Sequence, residues 1–332
     1  MRSDIVWTSG SVRAVATLSP SIRLFEIVPD SGAASWSPGS HIEVSVTIDG
    51  RAETRSYSLV GEPDGGAYRI AVKCDLQGRG GSQAMHRLVP GARLSVSSPK
   101  NHFELEFDRP DYLLVAGGIG ITPMLGMAQA LKKRGASFRF LYCVRTRDEL
   151  ALLPELSGVC GDSLSVFVSG EGQRLDFAAE IAQLAADGQL YLCGPMRMLD
   201  AARREWEKAG RKPQGLRYET FGSSGRYATQ AFTLRTWPEG LEVLVPENKS
   251  MLDALTEAGI DVMYDCKRGE CGLCTLNVLE ASAPIDHRDV FFSEHERTEC
   301  KKICACVSRC AGGVLTVDTA YRGKGGGLRL LA

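Results

Sequence analysis

Three closely spaced cysteines limit what this chain can become. The stretch Asp265-Cys266-Lys267-Arg268-Gly269-Glu270-Cys271-Gly272-Leu273-Cys274 reads C-x4-C-x2-C. That is the spacing of a plant-type [2Fe–2S] loop, which needs a fourth cysteine further along the chain. Three thiolates on one tight turn can hold one iron twice and the other once. Gly269 and Gly272 leave room where the backbone must fold over sulfide and donate N–H bonds to it. Lys267 and Arg268 place positive charge beside a negatively charged group. Structural zinc is the competing reading, but zinc sites favour C-x2-C pairs rather than x4 followed by x2.

The fourth ligand is open among Cys300, Cys304, Cys306 and Cys310. Cys306 is preferred, with Cys304 as runner-up. Cys306 opens Cys306-Val307-Ser308-Arg309, ahead of the turn at Gly312-Gly313 and an apolar strand from Val314 to Val317.

The 332 residues suffice for two or three domains. No apolar run approaches the length of a membrane span, and Met1 to Ile5 lacks the apolar stretch of an export signal. Eleven cysteines without such a signal, four of them claimed by the cluster motif, fit a reducing cytoplasm. A net charge of −1 gives no reason to expect nucleic acid.

From about residue 10 to 107 the chain reads as short β-rich segments: Val12 to Ala16, Ile22 to Val28, His41 to Ile48, Tyr57 to Val60, Tyr68 to Lys73 and Arg93 to Val96. Pro38-Gly39, Asp49-Gly50, Pro63-Asp64-Gly65-Gly66 and Pro90-Gly91 punctuate them, which predicts a small antiparallel barrel. Two stretches in it look chemical. Arg55-Ser56-Tyr57-Ser58-Leu59 offers a cation, a stacking face and hydroxyls. Gly78-Arg79-Gly80-Gly81-Ser82 leads into a helix-like Gln83 to Leu88, a suitable seat for an anion.

The period then changes. Asp111 to Ala116 is a buried-strand run, followed by Gly117-Gly118-Ile119-Gly120-Ile121-Thr122-Pro123 and a helix to about Arg134. Strands at Phe138 to Val144 and Leu164 to Val168 alternate with helices at Glu149 to Leu156 and Leu175 to Ala186. Gln189 to Met196 is a strand running into a glycine turn, before a helix from Arg197 to Ala209 and a last strand from Arg217 to Phe221. This predicts a doubly wound sheet with ligands at the C-terminal ends of its strands, although G-x-G-x-x-G is absent. Gly222-Ser223-Ser224-Gly225 reads as a linker. A hairpin at Phe232 to Thr236 and Leu241 to Val245, and a helix Met251 to Ala258 capped by Ser250, open the last domain.

Taken in order, R-S-Y-S-L (from Arg55), G-R-G-G-S (from Gly78), G-G-I-G-I-T-P (from Gly117), C-G-P-M (from Cys193), C-x4-C-x2-C and C-V-S-R (from Cys306) resemble the phthalate dioxygenase reductase family from about residue 10 to 318. The resemblance implies three domains: an antiparallel Greek-key flavin barrel at 1–108, a doubly wound α/β NAD-binding domain at 109–221, and a β-grasp [2Fe–2S] ferredoxin domain at 232–320. A linker at 222–231 and a mobile tail at 321–332 complete the chain. Arg55, Ser56, Tyr57 and Ser58 would hold the flavin ring and ribityl chain, and Val72 and Lys73 would line its ribityl side. Gly80, Gly81 and Ser82 would cradle its phosphate, Thr122 would reach it from the second domain, and Phe221 would lie against the ring. Gly118, Gly120, Arg145, Cys193, Gly194, Pro195 and Met196 would line the NADH site. FMN is favoured over FAD. Cys266, Cys271, Cys274 and Cys306 would carry the cluster. One departure stands out: Leu279 to His287 is about two residues longer than usual, and aligning on His287-Arg288-Asp289 restores the register.

The implied activity is electron transfer from NADH through FMN and the cluster to a terminal Rieske-type oxygenase that hydroxylates rings or demethylates. Hydride would pass from the nicotinamide to the flavin, with Ser58 near flavin N5 and Cys193 near the nicotinamide as the catalytic candidates. Electrons would then leave one at a time. Glu171 would favour NADH over NADPH by accepting from a ribose hydroxyl. The partner is expected to dock on the 266–274 loop of an acidic domain, about −6 between 232 and 318, and the protein to be a monomer. Alternatives are a reductase for another metalloenzyme or a separate ferredoxin, a self-sufficient monooxygenase, and a cluster-based redox sensor.

Overall fold

The computed structural model describes residues 6–48, 50–63, 66–76, 78, 80–221, 225 and 227–319. The expected linker residues Gly222, Ser223 and Ser224, the turn residues Asp49, Asp64 and Gly65, Arg79 and the tail at 321–332 lie outside them. The chain forms two compact units, 1–220 and 221–332.

The first unit opens with antiparallel strands β1 (Trp7–Ser19), β2 (Ile22–Pro29), β3 (Ser40–Ile48), β4 (Arg51–Ser58), β5 (Tyr68–Lys73), β6 (Arg93–Ser97) and β7 (Lys100–Asn101), with helix α1 (Gly81–His86) between β5 and β6. Their order is β4-β3-β6-β1-β2-β5, with β7 paired to β3. A bridge between Leu59 and Ile70 brings the two ends of this path together, giving a barrel filled by Phe25, Ile27, Ile42, Val44, Ile70 and Met85. β4 starts six residues before the strand expected at Tyr57. Its sequence Arg51-Ala52-Glu53-Thr54-Arg55-Ser56 carries no apolar alternation, so pairing with β3 rather than local pattern decides it.

The chain then alternates β8 (Tyr112–Gly117), α2 (Ile121–Lys133), β9 (Phe138–Val144), α3 (Leu153–Cys160), β10 (Leu164–Val168), α4 (Phe177–Ala182), β11 (Gln189–Cys193), α5 (Met196–Lys208) and β12 (Leu216–Glu219). The strands are all parallel, in the order β10-β9-β8-β11-β12. Every residue of β8 is buried, as a central strand covered on both faces requires. The helix expected from Glu149 to Leu156 is instead a 3-10 turn (Arg147–Glu149) and then α3. Leu152 takes a left-handed conformation between them, and Pro154 sits in the first turn of α3, where its missing N–H costs nothing. The helix expected over Leu175 to Ala186 is confined to α4, capped by Asp176. Val60, Phe103 and Leu105 share a core with Leu114, Met124 and Tyr142, so barrel and α/β sheet form one unit.

The second unit has a mixed sheet in the order β14-β13-β19-β15-β17 and a two-stranded sheet of β16 with β18. Its elements are β13 (Phe232–Trp237), β14 (Glu242–Val245), α6 (Met251–Glu257), β15 (Thr275–Ala281), β16 (Ile285–Asp286), α7 (Glu294–Glu299), β17 (Lys302–Cys304), β18 (Arg309–Cys310) and β19 (Val314–Asp318). Ser250 and Asp253 form a full capping box at α6. The stretch Leu279 to His287, read as about two residues longer than usual, ends β15 and includes β16. Ser293 and Glu296 cap α7, an element the sequence reading passed over.

Candidate functional site

The cysteine loop lies between α6 and β15. Arg268, Glu270 and Cys271 each aim a backbone N–H at the Cys266 sulfur, at 3.4 Å. Gly269 holds φ +76°, and a Cβ there would meet Val307 Cγ2 at 2.5 Å and Asp289 Cα at 2.8 Å. At Gly272, with φ +74°, a Cβ would meet the Phe291 ring at 2.3 Å. The turn therefore requires glycine at both positions, each time for conformation and for space.

The sulfurs fall into two groups. Cys271 faces Cys266, while Cys304 and Cys306 both donate to Cys274 and push its thiol down to about 3. Bonding to Cys274, together with burial, raises the thiols of Cys304 and Cys306. Cys306 also takes the Gly269 N–H and faces Cys266, whereas Cys304 lies against Thr275 at 3.9 Å. Cys310 donates to the Ala283 carbonyl at 3.5 Å and Cys300 to the Arg297 carbonyl at 3.1 Å, so both point at backbone. Among the described residues no three His, Cys, Asp or Glu side chains are arranged to hold a single ion. Sulfurs gathered in two groups, Cys266 with Cys271 and Cys274 with Cys304 and Cys306, the first under converging N–H groups, fit a two-iron centre.

Arg268, expected to greet a partner, is paired with Glu270 at 3.2 Å and is 10% exposed. Lys267 stays at the surface over the Tyr264 ring. Met263, Tyr264, Leu273 and Phe291 add exposed apolar area to the loop and its surroundings.

In the first unit, the strand order reverses between β8 and β11, the switch point where doubly wound sheets take ligands. Both glycine turns lie there and touch. A Cβ on Gly120 would meet the Cys193 carbonyl oxygen at 2.1 Å, and one on Gly117 would meet Gly194 Cα at 3.1 Å. Cys193 is fully buried, Met196 is buried, and Pro195 and Arg145 are exposed. Thr122 is buried and donates to the Ile119 carbonyl at 3.0 Å, which fixes its hydroxyl.

The barrel brings its own chemistry to the same unit. Ser58, buried at the end of β4, donates to Glu219 Oε2 at 3.4 Å. Tyr57 is pushed up to about 12 by burial and stays neutral. Ser56 is exposed on the opposite face of β4. Arg55 runs along α1, where a Cβ on Gly81 would meet its Nε at 2.4 Å, and it pairs with Glu53 at 2.6 Å. Gly80 is left-handed ahead of α1, and the Ser82 hydroxyl accepts from the Asp75 N–H at 2.9 Å. Val72 is buried, and Lys73 bonds Glu149 at 2.5 Å. Burial would raise Glu149, but Lys73 and the Arg145 N–H outweigh it and hold the carboxylate low. Phe221, 39% exposed, is the first residue of the second unit.

Three residues were missed from sequence. Glu219 is a carboxylate 1% exposed at the end of β12, in register with Cys193. A glutamate closing a strand gives no local signal; only strand order puts it beside Ser58. Asp289, 0% exposed, lies under Gly269. Arg147 grips Glu171 through two bonds, at 2.6 and 2.7 Å, so the acid expected to meet a ribose is already occupied.

Comparison with known proteins agrees with this layout. Family models match for an oxidoreductase FAD-binding domain at residues 9–105, an oxidoreductase NAD-binding domain at 114–162 and a 2Fe-2S iron-sulfur cluster binding domain at 236–311. The chain is 34% identical to the toluene-4-sulfonate monooxygenase system reductase subunit TsaB1 of Comamonas testosteroni, over 96% of this chain and all of that one. Phthalate dioxygenase reductase superposes with a TM-score of 0.76 at 29% identity, over 95% of this chain and 98% of the other. An intact type IV self-sufficient cytochrome P450 monooxygenase matches with a TM-score of 0.66 at 34% identity; the match spans 94% of this chain but only 41% of that longer one. No helix among the described residues is long and apolar enough to cross a membrane. With a flavin barrel, a nicotinamide-binding sheet and a [2Fe–2S] domain in this order, the chain belongs to the phthalate dioxygenase reductase family, the NADH-dependent reductase subunits of oxygenase systems.

Proposed function

We propose that this reductase carries FMN and feeds a Rieske-type terminal oxygenase. The observation that carries the reading is the convergence at the switch point: Ser58 of the barrel bonds Glu219, and Glu219 is in register with Cys193 beside the two touching glycine turns. The flavin, when bound, takes up the two electrons of a hydride and releases them singly. Ser58 and Glu219 orient its reacting edge, and the Gly118–Gly120 and Cys193–Met196 turns give the nicotinamide a close backbone approach. Arg55 beside Gly80, Gly81 and Ser82 suits a terminal phosphate held on the barrel itself, which favours the mononucleotide. Tyr57 supplies an aromatic face, and Val72 and Lys73 flank the ribityl chain. In the second unit, Cys266, Cys271, Cys274 and Cys306 would hold the two-iron centre, which would take up electrons one at a time. The surface around Lys267, Tyr264 and Leu273 meets the partner.

The test separates the two units. Thr229 accepts from Arg288 at 3.1 Å, so residues near 229 belong with the second unit and the cut is best made after Phe221. The 1–221 fragment should keep its flavin, released by acid as FMN, and should reduce ferricyanide with NADH. It should not drive the oxygenase. Oxygenase turnover at the full-length rate would refute the path through the cluster. The likeness to part of a self-sufficient cytochrome P450 monooxygenase, and to the beta subunit of a heme-dependent oxidative N-demethylase, favours a second reading, a haem-containing oxygenase as partner. The spectrum of the co-purifying oxygenase, Rieske or haem, decides between them.

A further inference from the structure

We propose that Asp289 is a positioning residue whose fixed negative charge holds down the reduction potential of the iron–sulfur centre. The inference rests on the cluster being held by Cys266, Cys271, Cys274 and Cys306. Its basis is a carboxylate sealed inside the second unit against the loop that carries three of those cysteines.

The Asp289 side chain is 0% exposed. Its Oδ1 accepts from Ser308 Oγ at 2.8 Å and faces His287 Nδ1 at 3.3 Å. Its Oδ2 accepts from the Phe292 N–H at 3.1 Å and lies 3.9 Å from Arg297 Nε. Arg297 Nη2 also donates to the Asp289 carbonyl at 2.6 Å. These partners keep the acid ionised although burial opposes it.

The connection to the cysteines is short. Asp289 Cα would lie 2.8 Å from a Cβ on Gly269, the middle of the C-x4-C turn. The N–H groups of Val290 and Phe291 donate to the Gly269 carbonyl at 2.9 and 3.2 Å. Ser308 is two residues beyond Cys306, and its N–H bonds the Cys304 carbonyl at 3.0 Å. The negative charge of Asp289 also raises the Cys304 thiol, so it is felt where the sulfurs gather. Most charged side chains of this unit are at the surface, where solvent screens them; Asp289 has no such screen.

Adding an electron beside a buried anion costs more than adding it beside a neutral group. Asp289→Asn keeps the size and one acceptor oxygen and removes the charge. It should make the cluster about tenfold easier to reduce, a rise of about 59 mV for a one-electron centre. Arg297→Gln removes the facing positive charge and should shift the potential in the opposite direction. If Asp289 only packed the loop, both variants would loosen it and move the potential the same way.

The experiment is a redox titration of the full-length protein and both variants at one pH, followed by the cluster's visible absorption, with iron content measured alongside. A rise for Asp289→Asn with a fall for Arg297→Gln supports the proposal. Unchanged potentials, or shifts of the same sign, overturn it. If Asp289→Asn fails to hold iron, Arg297→Gln decides alone, and a potential that stays or rises is refutation. A wild-type protein without cluster absorption would instead refute the ligand set.

Discussion

Replacing Gly120 and Gly118 one at a time separates two reasons for glycine within a single motif. At Gly120 an added Cβ would sit 2.1 Å from the Cys193 carbonyl oxygen and 2.6 Å from its carbon, where ordinary contact begins near 3.4 Å. The obstacle is backbone, so no side chain can swing aside. The ends of β8 and β11 must part by about 1.3 Å. Overpacking of this kind costs about 1–3 kcal/mol. Gly118 differs: its φ is +54° and nothing lies within 4 Å of the added atom. Alanine there costs about 1–2 kcal/mol of left-handed strain and displaces nothing. For a unit of this size either change should lower Tm by roughly 2–4 °C per kcal/mol. Stability alone will therefore not distinguish the variants, but chemistry will. A displacement of about 1 Å at a reacting centre can cost about a hundredfold in rate. Gly120→Ala should slow the limiting rate of anaerobic flavin reduction by NADH about that much in stopped flow, while Gly118→Ala, whose added methyl enters the open space beside the turn, should raise the NADH concentration needed and leave the limiting rate within a few-fold of wild type. Equal rates in the two variants, or the reverse order, would show that the touching turns do not position the nicotinamide.

Three other outcomes are expected. Cys306→Ser should lose the visible absorption of the cluster, while Cys304→Ser, Cys300→Ser and Cys310→Ser keep it; bleaching of Cys304→Ser alone would reverse the assignment. Glu219→Gln should retain flavin and Tm but slow flavin reduction about a hundredfold, the scale of a misplaced reacting edge; a wild-type rate would remove Glu219 from the site. Glu171→Ala frees Arg147 for a 2′-phosphate and should shift the ratio of kcat/KM for NADH over NADPH by about tenfold toward NADPH, in keeping with a charge-assisted bond. A ratio that does not move would mean that Glu171 acts on neither cofactor.

The sequence by itself determined the parts that depend on local chemistry. C-x4-C-x2-C, with glycines inside it, specifies a loop that can offer N–H groups to sulfur, and the structure aims three of them at Cys266. The buried run before Gly117 and the change from period two to helix-length spacing marked a doubly wound sheet, and its five strands are all parallel. Other features depended on pairing at a distance. The polar strand β4 exists because β3 lies beside it, with no apolar pattern of its own. Thr275 to Ala281 became a strand because β19 and β17 flank it. Ser58 and Glu219 are 161 residues apart and meet through the packing of the barrel against the sheet. Asp289 and Gly269 meet only where the chain folds back over the cysteine turn. Turn chemistry is written in neighbouring residues, so it is legible one segment at a time. A buried carboxylate acquires its role from groups brought in by other elements, and only the tertiary structure decides which groups those are.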